Sequence, residues 1–461
     1  MGFKHRRPNL VQNGLKNQRF VIIKSFKMWQ KIKNRLFHLS KSIFYNYYYH
    51  WPSKKLTLIG VTGTDGKTTT SILLYEILKK SGINAGVITT IGAKYGNEEI
   101  DTGLHITSPD PSVIQKIFKK MVDAGVTHVV CEVTAHALDQ FRYYGCNFEV
   151  SVITNTSHEH LDYFHDMNRY IKTKSLIFSQ SKISILNRDD DSYQTIKNSL
   201  VSKSIITYSI KQPSDYQAKK IKLNKNSLSF NLNNLKIKTN SPYYYQTYNI
   251  LAAIAVIEQL KINPKYALET IKNFPDTKGR REEVSNQLDI LALIDFAHTP
   301  NAIKNTLSSL RKIGQNRILT IFGATGGRDQ TKRPIMGNIV SQLADIAFIT
   351  ADDTRNENIN QINQQIISGI SNDSILIDHN QPLSEIKKTI RNNKNKFIYF
   401  NIPNRQDAFN LAVSLAQAKD IIIAMGKGHE TTILDGNTEY PWSEAEAFRT
   451  AFKLRQADAS I

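Results

Sequence analysis

Cysteine is nearly absent from this 461-residue chain, which carries only Cys131 and Cys146. Two thiols exclude a disulfide framework and a four-thiolate zinc centre, and they fit a reducing, intracellular compartment. Long apolar runs are missing too, since nothing approaches the roughly 18 uninterrupted apolar residues of a membrane-spanning helix. No apolar stretch leads to a small-residue cleavage site, so a secretory leader is not expected. Acidic residues are missing from one region. Residues 1–55 hold thirteen Lys/Arg and no Asp or Glu, so 13 of the net charge of +20 sits there. An AT-rich coding sequence, which enriches Asn, Ile and Lys, accounts for part of this charge. The high pI of 9.6 comes with no DNA or RNA motif, and no nucleic-acid partner is expected.

What is present begins with that basic segment. "FKMWQKIKNRLFHLSKSIFYNYYYHW" (26–51) interleaves aromatics with cations, as helices lying in a membrane interface do. The expectation is a basic N-terminal segment, residues 1–54, that makes peripheral contact with the inner face of a membrane. From Lys55 onward, short β-rich runs alternate with amphipathic stretches. "KLTLIGVT" (55–62) reads as a strand and "TTTSILLYEILKK" (68–80) as a helix, with lysines in its last turn and Gly82 beyond. "NAGVITT", "THVVCEV", "FEVSVITN" and "KISILN" continue the pattern of βαβ units. Residues 204–240 break it, and their alternating, Asn-rich pattern reads as an antiparallel patch. "NILAAIAVIEQL" (249–260) restores a helix, and a second βα series comes after "GRREE" (279–283). The fold class expected is α/β: a P-loop-type central ATPase domain (55–280) with a mostly parallel sheet, then a C-terminal Rossmann-like domain (281–461). A length of 461 residues suits such a division.

"GVTGTDGKTTT" (60–70) carries the first chemistry. It misses the spacing of the common phosphate-loop motif by one residue and has an acid in its middle. Gly63 and Gly66 permit positive φ and close approach of the chain to a ligand. Successive amides from Thr64 to Thr69 entering a helix make an anion cradle, aided by the helix dipole. Lys67 adds a positive charge for terminal phosphates, and the Thr68 hydroxyl suits Mg²⁺. Asp65 is expected to hold the turn in a left-handed conformation by bonding neighbouring amides, with its carboxylate turned from the phosphates.

This loop resembles that of the Mur ligases, usually GTNGKT(T/S). The chain from about residue 55 to 450 is similar to the branch of that family that makes UDP-N-acetylmuramoyl-tripeptide (the MurE branch). Folylpolyglutamate synthases share the fold, but their loop typically carries GKGS. "CEVTAHALDQFR" (131–142) resembles EVSSHxLxQxR, which implies that Glu132 binds Mg²⁺ and that Thr134, Gln140 and Arg142 face the sugar-nucleotide substrate. "TNTSHEHLDYF" (154–164) is similar to TNLxxDHLDYH, with His158-Glu159 in place of an Arg/Asp-like pair. It implies Asn155 at the substrate and His160 on a second Mg²⁺. "YIKTKSLIF" (170–178) aligns Lys174 with the family's carbamylated lysine, an anionic oxygen ligand beside magnesium. By residue type alone, Glu132 would read as a strand-end salt-bridge partner, His160 as an ordinary histidine and Lys174 as a solvated lysine. "HITSPDPSVI" (105–114) resembles the muramoyl-contacting loop, with Thr107 and Ser108 as candidates.

The same resemblance covers the second half. Asn249 of "YNILAA", with Gln246 as its companion, fits the adenine-reading asparagine. Arg280 of "GRREE" fits the arginine that reaches ATP across the junction. "DFAHTPNAI" (295–303) matches DYAHTPDAL, which puts Asp295 and His298 at the nucleotide. "FGATGGRDQTKRPIM" (322–336) is similar to FGCGGDRDxxKRPxM, which implies Lys332 at the phosphates and Arg328 on the amino acid's carboxylate. "ADDTRNE" (351–357) stands where diaminopimelate-adding members have DNPR; Arg355 is retained and Asp353 replaces Asn. In "GKGHE" (426–430), Gly426 and Glu430 would hold the distal end of the amino acid. The family's N-terminal domain of about ninety residues, which grips uridine diphosphate, is here only 54 residues of different character. The expected protein is a monomeric, cytoplasmic, ATP-dependent ligase with two Mg²⁺ ions. Its substrates would be UDP-muramoyl dipeptide and either meso-diaminopimelate or L-lysine. A ligase acting on a folate or a lipid-linked muropeptide, and a catalytically silent nucleotide binder, are the alternatives.

Overall fold

The computed structural model describes residues 32–102, 108–200, 204–224, 226–274, 277–314 and 316–458. Thr107 and residues 26–31 of the aromatic segment lie outside them. Two large sheets organise the chain, one of eleven strands and one of seven. In the first, Thr57–Thr62 lies between His128–Glu132 and Phe148–Ile153, parallel to both. All three strands are almost wholly buried, as a parallel sheet covered on both faces requires. The helix Lys67–Lys80 covers one face with Leu73, Leu74, Ile77 and Leu78, packed with the apolar helix Gln246–Gln259.

The antiparallel patch is real but shorter than expected. Tyr216–Asn224, Ser227–Leu232 and Leu235–Thr239 pair antiparallel. Ser204–Ser209 instead extends the parallel series beside Ser181–Asn187, burying Tyr208 and Ser209. A hairpin strand pair, Gly92–Tyr95 and Glu98–Ile100, closes the other edge. The second sheet begins with Arg280–Val284, antiparallel to Leu291–Asp295, and is otherwise parallel. "SILIDH" contributes only Ile375–Leu376, and the neighbouring Ile398–Asn401 is a strand that the alternation had not marked.

The described part of the aromatic segment forms a helical turn, Asn34–His38, and the helix Leu39–Tyr48. Its amphipathicity is inverted. Asn34 donates to Asp139, the Ser42 hydroxyl to the Phe141 carbonyl and Asn46 to the Tyr144 carbonyl, so the polar face is the docked one. Leu36, Phe37, Phe44, Tyr47 and Tyr48 face outward. Among the described residues, no helix is long and apolar enough to cross a membrane.

Candidate active site

The carboxyl ends of the first sheet and of the second sheet's strand Leu291–Asp295 open onto one cleft of about 2170 Å³. Open parallel sheets gather ligand groups at these ends, where loops are free of strand pairing. Thr57–Thr62 delivers the glycine-rich loop. Its neighbour ends in Glu132, level with Val61, and Phe148–Ile153 runs into Thr154 and Asn155. From the second sheet come Asp295 at one strand end and Gly426 after the adjoining one. Gly63 (φ 142°) and Gly66 (φ 82°) carry the positive φ of the loop. A Cβ on Gly63 would lie 1.9 Å from Thr154 Oγ1, and one on Gly66 2.5 Å from Asn249 Oδ1, so both close approaches exclude a side chain.

Asp65 differs from expectation, because its φ is not positive and its carboxylate does not close on neighbouring amides. It accepts from Thr299 Oγ1 at 2.9 Å, Asn301 Nδ2 at 2.7 Å and Ser157 Oγ at 3.2 Å. Asn155 braces the same residue through its backbone, receiving the Asp65 N–H at 3.0 Å and donating to the Asp65 carbonyl at 3.0 Å.

Lys67 opens the helix Lys67–Lys80, donates to the Thr64 carbonyl at 2.8 Å and lies 4.0 Å from Glu132. Burial pulls its pKa down against the attraction of Glu132 and Asp65. Thr68 Oγ1 donates to Glu132 Oε2 at 2.9 Å. Thr90, which sequence reasoning missed, binds the same carboxylate through its N–H and hydroxyl, each at 3.2 Å. Arg280 reaches across from the second sheet to Thr68 Oγ1 at 3.3 Å and stacks over Phe296. Lys174 donates to the Gly63 carbonyl, beneath the loop, and lies over the Tyr170 ring. Burial, followed by repulsion from Lys67, holds its pKa well below the lysine range. His160 has φ 57°, and burial, then His136, keeps it neutral; its Nδ1 is buried without a hydrogen-bond partner.

Lys332 crosses the cleft and binds Glu159 at 3.1 and 3.2 Å, and also donates to the His298 carbonyl at 3.0 Å. His158 Nε2 meets Asp329 and Thr331, each at 2.9 Å. The His158-Glu159 pair that departs from the family pattern is therefore an interlobe contact. Asn249 is buried, donates to Gln246 at 2.7 Å and accepts from Thr70 at 3.3 Å, so it braces the loop while lining the cleft. Asp295 accepts from the Ala297 N–H at 3.1 Å and Thr306 Oγ1 at 3.3 Å. His298 pairs with the Phe296 carbonyl at 2.8 Å.

A second group forms one network to the side. Ser108 Oγ donates to the Glu132 carbonyl at 3.1 Å and receives the Thr134 N–H at 3.1 Å. The Thr134 hydroxyl caps the short helix Ala135–Asp139. Arg142 donates to Gln140 Oε1 at 2.7 Å and to the Ser108 carbonyl. Farther into the second lobe, Lys427 binds Asp353 at 2.7 Å and Glu430 at 2.6 Å. Asp352, Asp353 and Glu430 are the one cluster of three metal-capable acids among the described residues, but that ammonium sits among them. Gly426 packs on Asp352. Arg328 and Arg355 lie close enough for their charges to repel, and neither has an ion-pair partner among the described residues. Arg355 has φ 51° and a buried, unpartnered Nε.

A glycine-rich loop at a strand-to-helix turn, oxygen donors beside it and cations brought by a second sheet describe a two-lobed α/β protein with a phosphate-binding cleft. Comparison with known proteins narrows this class. Residues 61–257 match the Mur ligase middle domain, and residues 279–428 match the Mur ligase glutamate ligase domain. UDP-N-acetylmuramoyl-L-alanyl-D-glutamate–2,6-diaminopimelate ligase of Geobacillus thermodenitrificans is 33% identical over 422 residues, covering 89% of this chain and 81% of that protein. A solved structure of a ligase of that name superposes with a TM-score of 0.58 at 25% identity, covering 88% of this chain and 81% of the other. Mycobacterium tuberculosis folylpolyglutamate synthase, solved with ADP and AMPPCP, gives a TM-score of 0.67 at 15% identity, covering 90% of this chain and 95% of that one, which bears on the fold alone. The chain belongs to the Mur ligase family.

Proposed function

We propose that this chain is an ATP-dependent acid–amino-acid ligase that joins meso-diaminopimelate to UDP-N-acetylmuramoyl-L-Ala-D-Glu in peptidoglycan precursor synthesis. Residues 55–280 form its ATP-binding unit and 281–461 its amino-acid-binding unit. The observation that carries this reading is the meeting of Lys67, Arg280 and the Thr68–Glu132 pair at one glycine-rich loop, with Lys332 approaching from the opposite sheet. Such a cluster positions and neutralises a polyphosphate rather than supplying covalent chemistry. The acceptor carboxylate attacks the γ-phosphorus, the β–γ bridging oxygen leaves with ADP, and an acyl phosphate forms. The amino acid's neutral amine then attacks the acyl carbon; phosphate leaves and the nitrogen loses a proton. Ser108, Thr134, Gln140 and Arg142 would face the muramoyl substrate, with Thr107 beside them in sequence. Arg328 and Arg355, two unpaired guanidinium groups, suit the two oxygens of an amino-acid carboxylate.

Mg²⁺ bound here would screen the phosphate charge. The donor set fits it at one position through the Thr68 hydroxyl and the Glu132 carboxylate, both hard oxygens. His160, whose buried Nδ1 lacks a partner, and carbamylated Lys174 would hold a second ion. The lowered pKa of Lys174 supports the modification, because only a neutral amine adds to carbon dioxide and then loses a proton to become a carbamate. The outward aromatic face of residues 36–48, beside a basic segment, supports peripheral attachment to an anionic bilayer. Binding to anionic vesicles that survives removal of residues 1–54 would overturn the attachment.

The test of the reaction is a substrate panel scored by product mass: UDP-muramoyl dipeptide with diaminopimelate, lysine or neither, and with hydroxylamine to trap the acyl phosphate. Product with diaminopimelate and a hydroxamate are expected. No hydroxamate from folded protein with any acceptor would overturn the reading. ¹³C-labelled bicarbonate should give a carbamate signal that Lys174→Met removes.

A further inference from the structure

An acid in a phosphate loop is a liability unless its charge is used elsewhere. Asp65 lies between Thr64 and Gly66, two residues before Lys67, where a free carboxylate would repel a polyphosphate at short range in a shielded cleft. Its two oxygens are instead both engaged by the opposite lobe. Thr299 Oγ1 donates to one at 2.9 Å and Asn301 Nδ2 to the other at 2.7 Å, while Ser157 from the loop's own lobe adds a third donor at 3.2 Å. Thr299 is also the N-cap of the helix Pro300–Ile313. The Asp65 charge therefore lies at the positive end of a fourteen-residue helix, where an anion is stabilised. The Asp65 backbone is pinned on its own side by Thr154 and Asn155.

We propose that Asp65 is a positioning residue, a latch through which the second lobe fixes the phosphate loop, and that Asn301 and Thr299 are its receivers. The proposal rests on the ligase reading for what the latch serves, and it explains a reciprocal departure in sequence. The family loop GTNGKT has an amide where Asp65 stands, and DYAHTPDAL has an acid where Asn301 stands. Amide and acid have changed places, which keeps one donor facing one acceptor across the cleft. Through the latch, the approach of Lys332 and Arg280 and the shape of the glycine-rich loop become a single event. Glu159 and Lys332 form the adjoining contact, so the two bonds act as neighbouring stitches along one seam.

The test is a charge swap across the two lobes. Asn301→Asp sets two carboxylates face to face and should lower kcat about 100-fold. Asn301→Ala, which removes the donor without adding a charge, should lower it roughly 3- to 10-fold. The double variant Asp65→Asn, Asn301→Asp restores an amide–acid pair and should return kcat to within about 3-fold of the native value. A fluorophore pair, one on each lobe, should report a longer interlobe distance for Asn301→Asp and the native distance for the swap. This readout needs no turnover, so the latch is tested even if the assigned reaction proves wrong. A swap no better than Asn301→Asp alone, in kcat and in distance, would overturn the latch. So would Asp65→Asn that tightens ATP binding with kcat unchanged, since Asp65 would then only repel phosphate.

Discussion

At the phosphate end of the cleft, Lys67 donates to a backbone carbonyl and stands 4.0 Å from Glu132. In the second lobe, at the end proposed for the amino acid, Lys427 is held between Asp353 at 2.7 Å and Glu430 at 2.6 Å. Lys427 is buried and Lys67 largely so, yet their pKa values move in opposite directions. Burial lowers Lys67, and its acidic neighbours do not compensate. Burial also works against Lys427, but Asp352, Glu430 and Asp353 outweigh it and raise the pKa. One end keeps cation charge in reserve for an anion that arrives from outside; the other cancels its charge within the chain. Under the proposed reaction, a lysine of the first kind serves turnover and one of the second kind serves the fold.

The same substitution at the two ends should separate these roles. Lys67→Met is expected to reduce kcat/KM on the order of 10³-fold or more, because it removes a charge that meets the phosphates in the transition state. Its melting temperature should change little, since a partly desolvated lysine is lost and Glu132, 4.0 Å away, keeps its bonds from Thr68 and Thr90. Steady-state kinetics beside a thermal melt checks both halves. Lys427→Met should do the reverse and destabilise the protein by about 3–5 kcal/mol, because Asp353 and Glu430 are left buried without a counter-charge. Denaturant unfolding would show this as a lower midpoint. A Lys427→Met protein of native stability would remove the contrast.

Much of the phosphate end was legible in the sequence. A strand, a glycine-rich turn and a helix sit next to one another in the chain, so Gly63, Gly66, Lys67 and Thr68 come from one local motif whose geometry is short-range. Glu132 could be placed at a strand end because parallel strands end side by side, while Asn155 was marked only by the family resemblance and braces the Asp65 backbone. The seam between the lobes was not legible. Thr299, Asn301, Glu159 and Thr90 lie far from the loop in sequence, and only the opposition of the two sheets brings them to it. A hint was present for Asn301 and for His158-Glu159, which depart from the family pattern. That the departures pair with residues of the other lobe is a property of the fold, and no local pattern encodes it. For the helix Leu39–Tyr48 the apolar stripe was legible, whereas its docking was not: buried Asn46 and Ser42 hold it by hydrogen bonds to residues about a hundred positions away, and the stripe faces out.

A milder probe sharpens the comparison at the amino-acid end. Arg328 and Arg355 have no ion-pair partner among the described residues, which suits them to the proposed amino-acid carboxylate. Arg355→Ala should raise the KM for the amino acid roughly 10- to 100-fold, the equivalent of about 1.4–2.7 kcal/mol, for loss of a charge-assisted contact. The KM for ATP should stay within about 2-fold. Equal changes in both constants would mean that Arg355 supports the cleft as a whole rather than its amino-acid end.

The effect confined to acidic pH lies at the join between the two ends. His429, next to Glu430, is held neutral: burial first, then repulsion from Arg280, lowers its pKa from 6.5 to about 4. Its Nδ1 is buried without a partner, and its ring packs against Phe296, over which Arg280 lies. The native value lies below the unfolded one, so between pH 6.5 and 4 the unfolded chain takes up a proton that the folded chain refuses. Stability therefore falls as pH falls through that window, by about 2–3 kcal/mol from this group. His429→Gln keeps a neutral polar side chain of similar size and removes the titration. Melting curves of the two proteins should diverge progressively from about pH 6.5 down to about 4 and differ by a constant offset above about pH 7. Parallel curves over the whole range would show that His429 is protonated in the folded protein as easily as in the unfolded one, and Arg280 would then not act across the join.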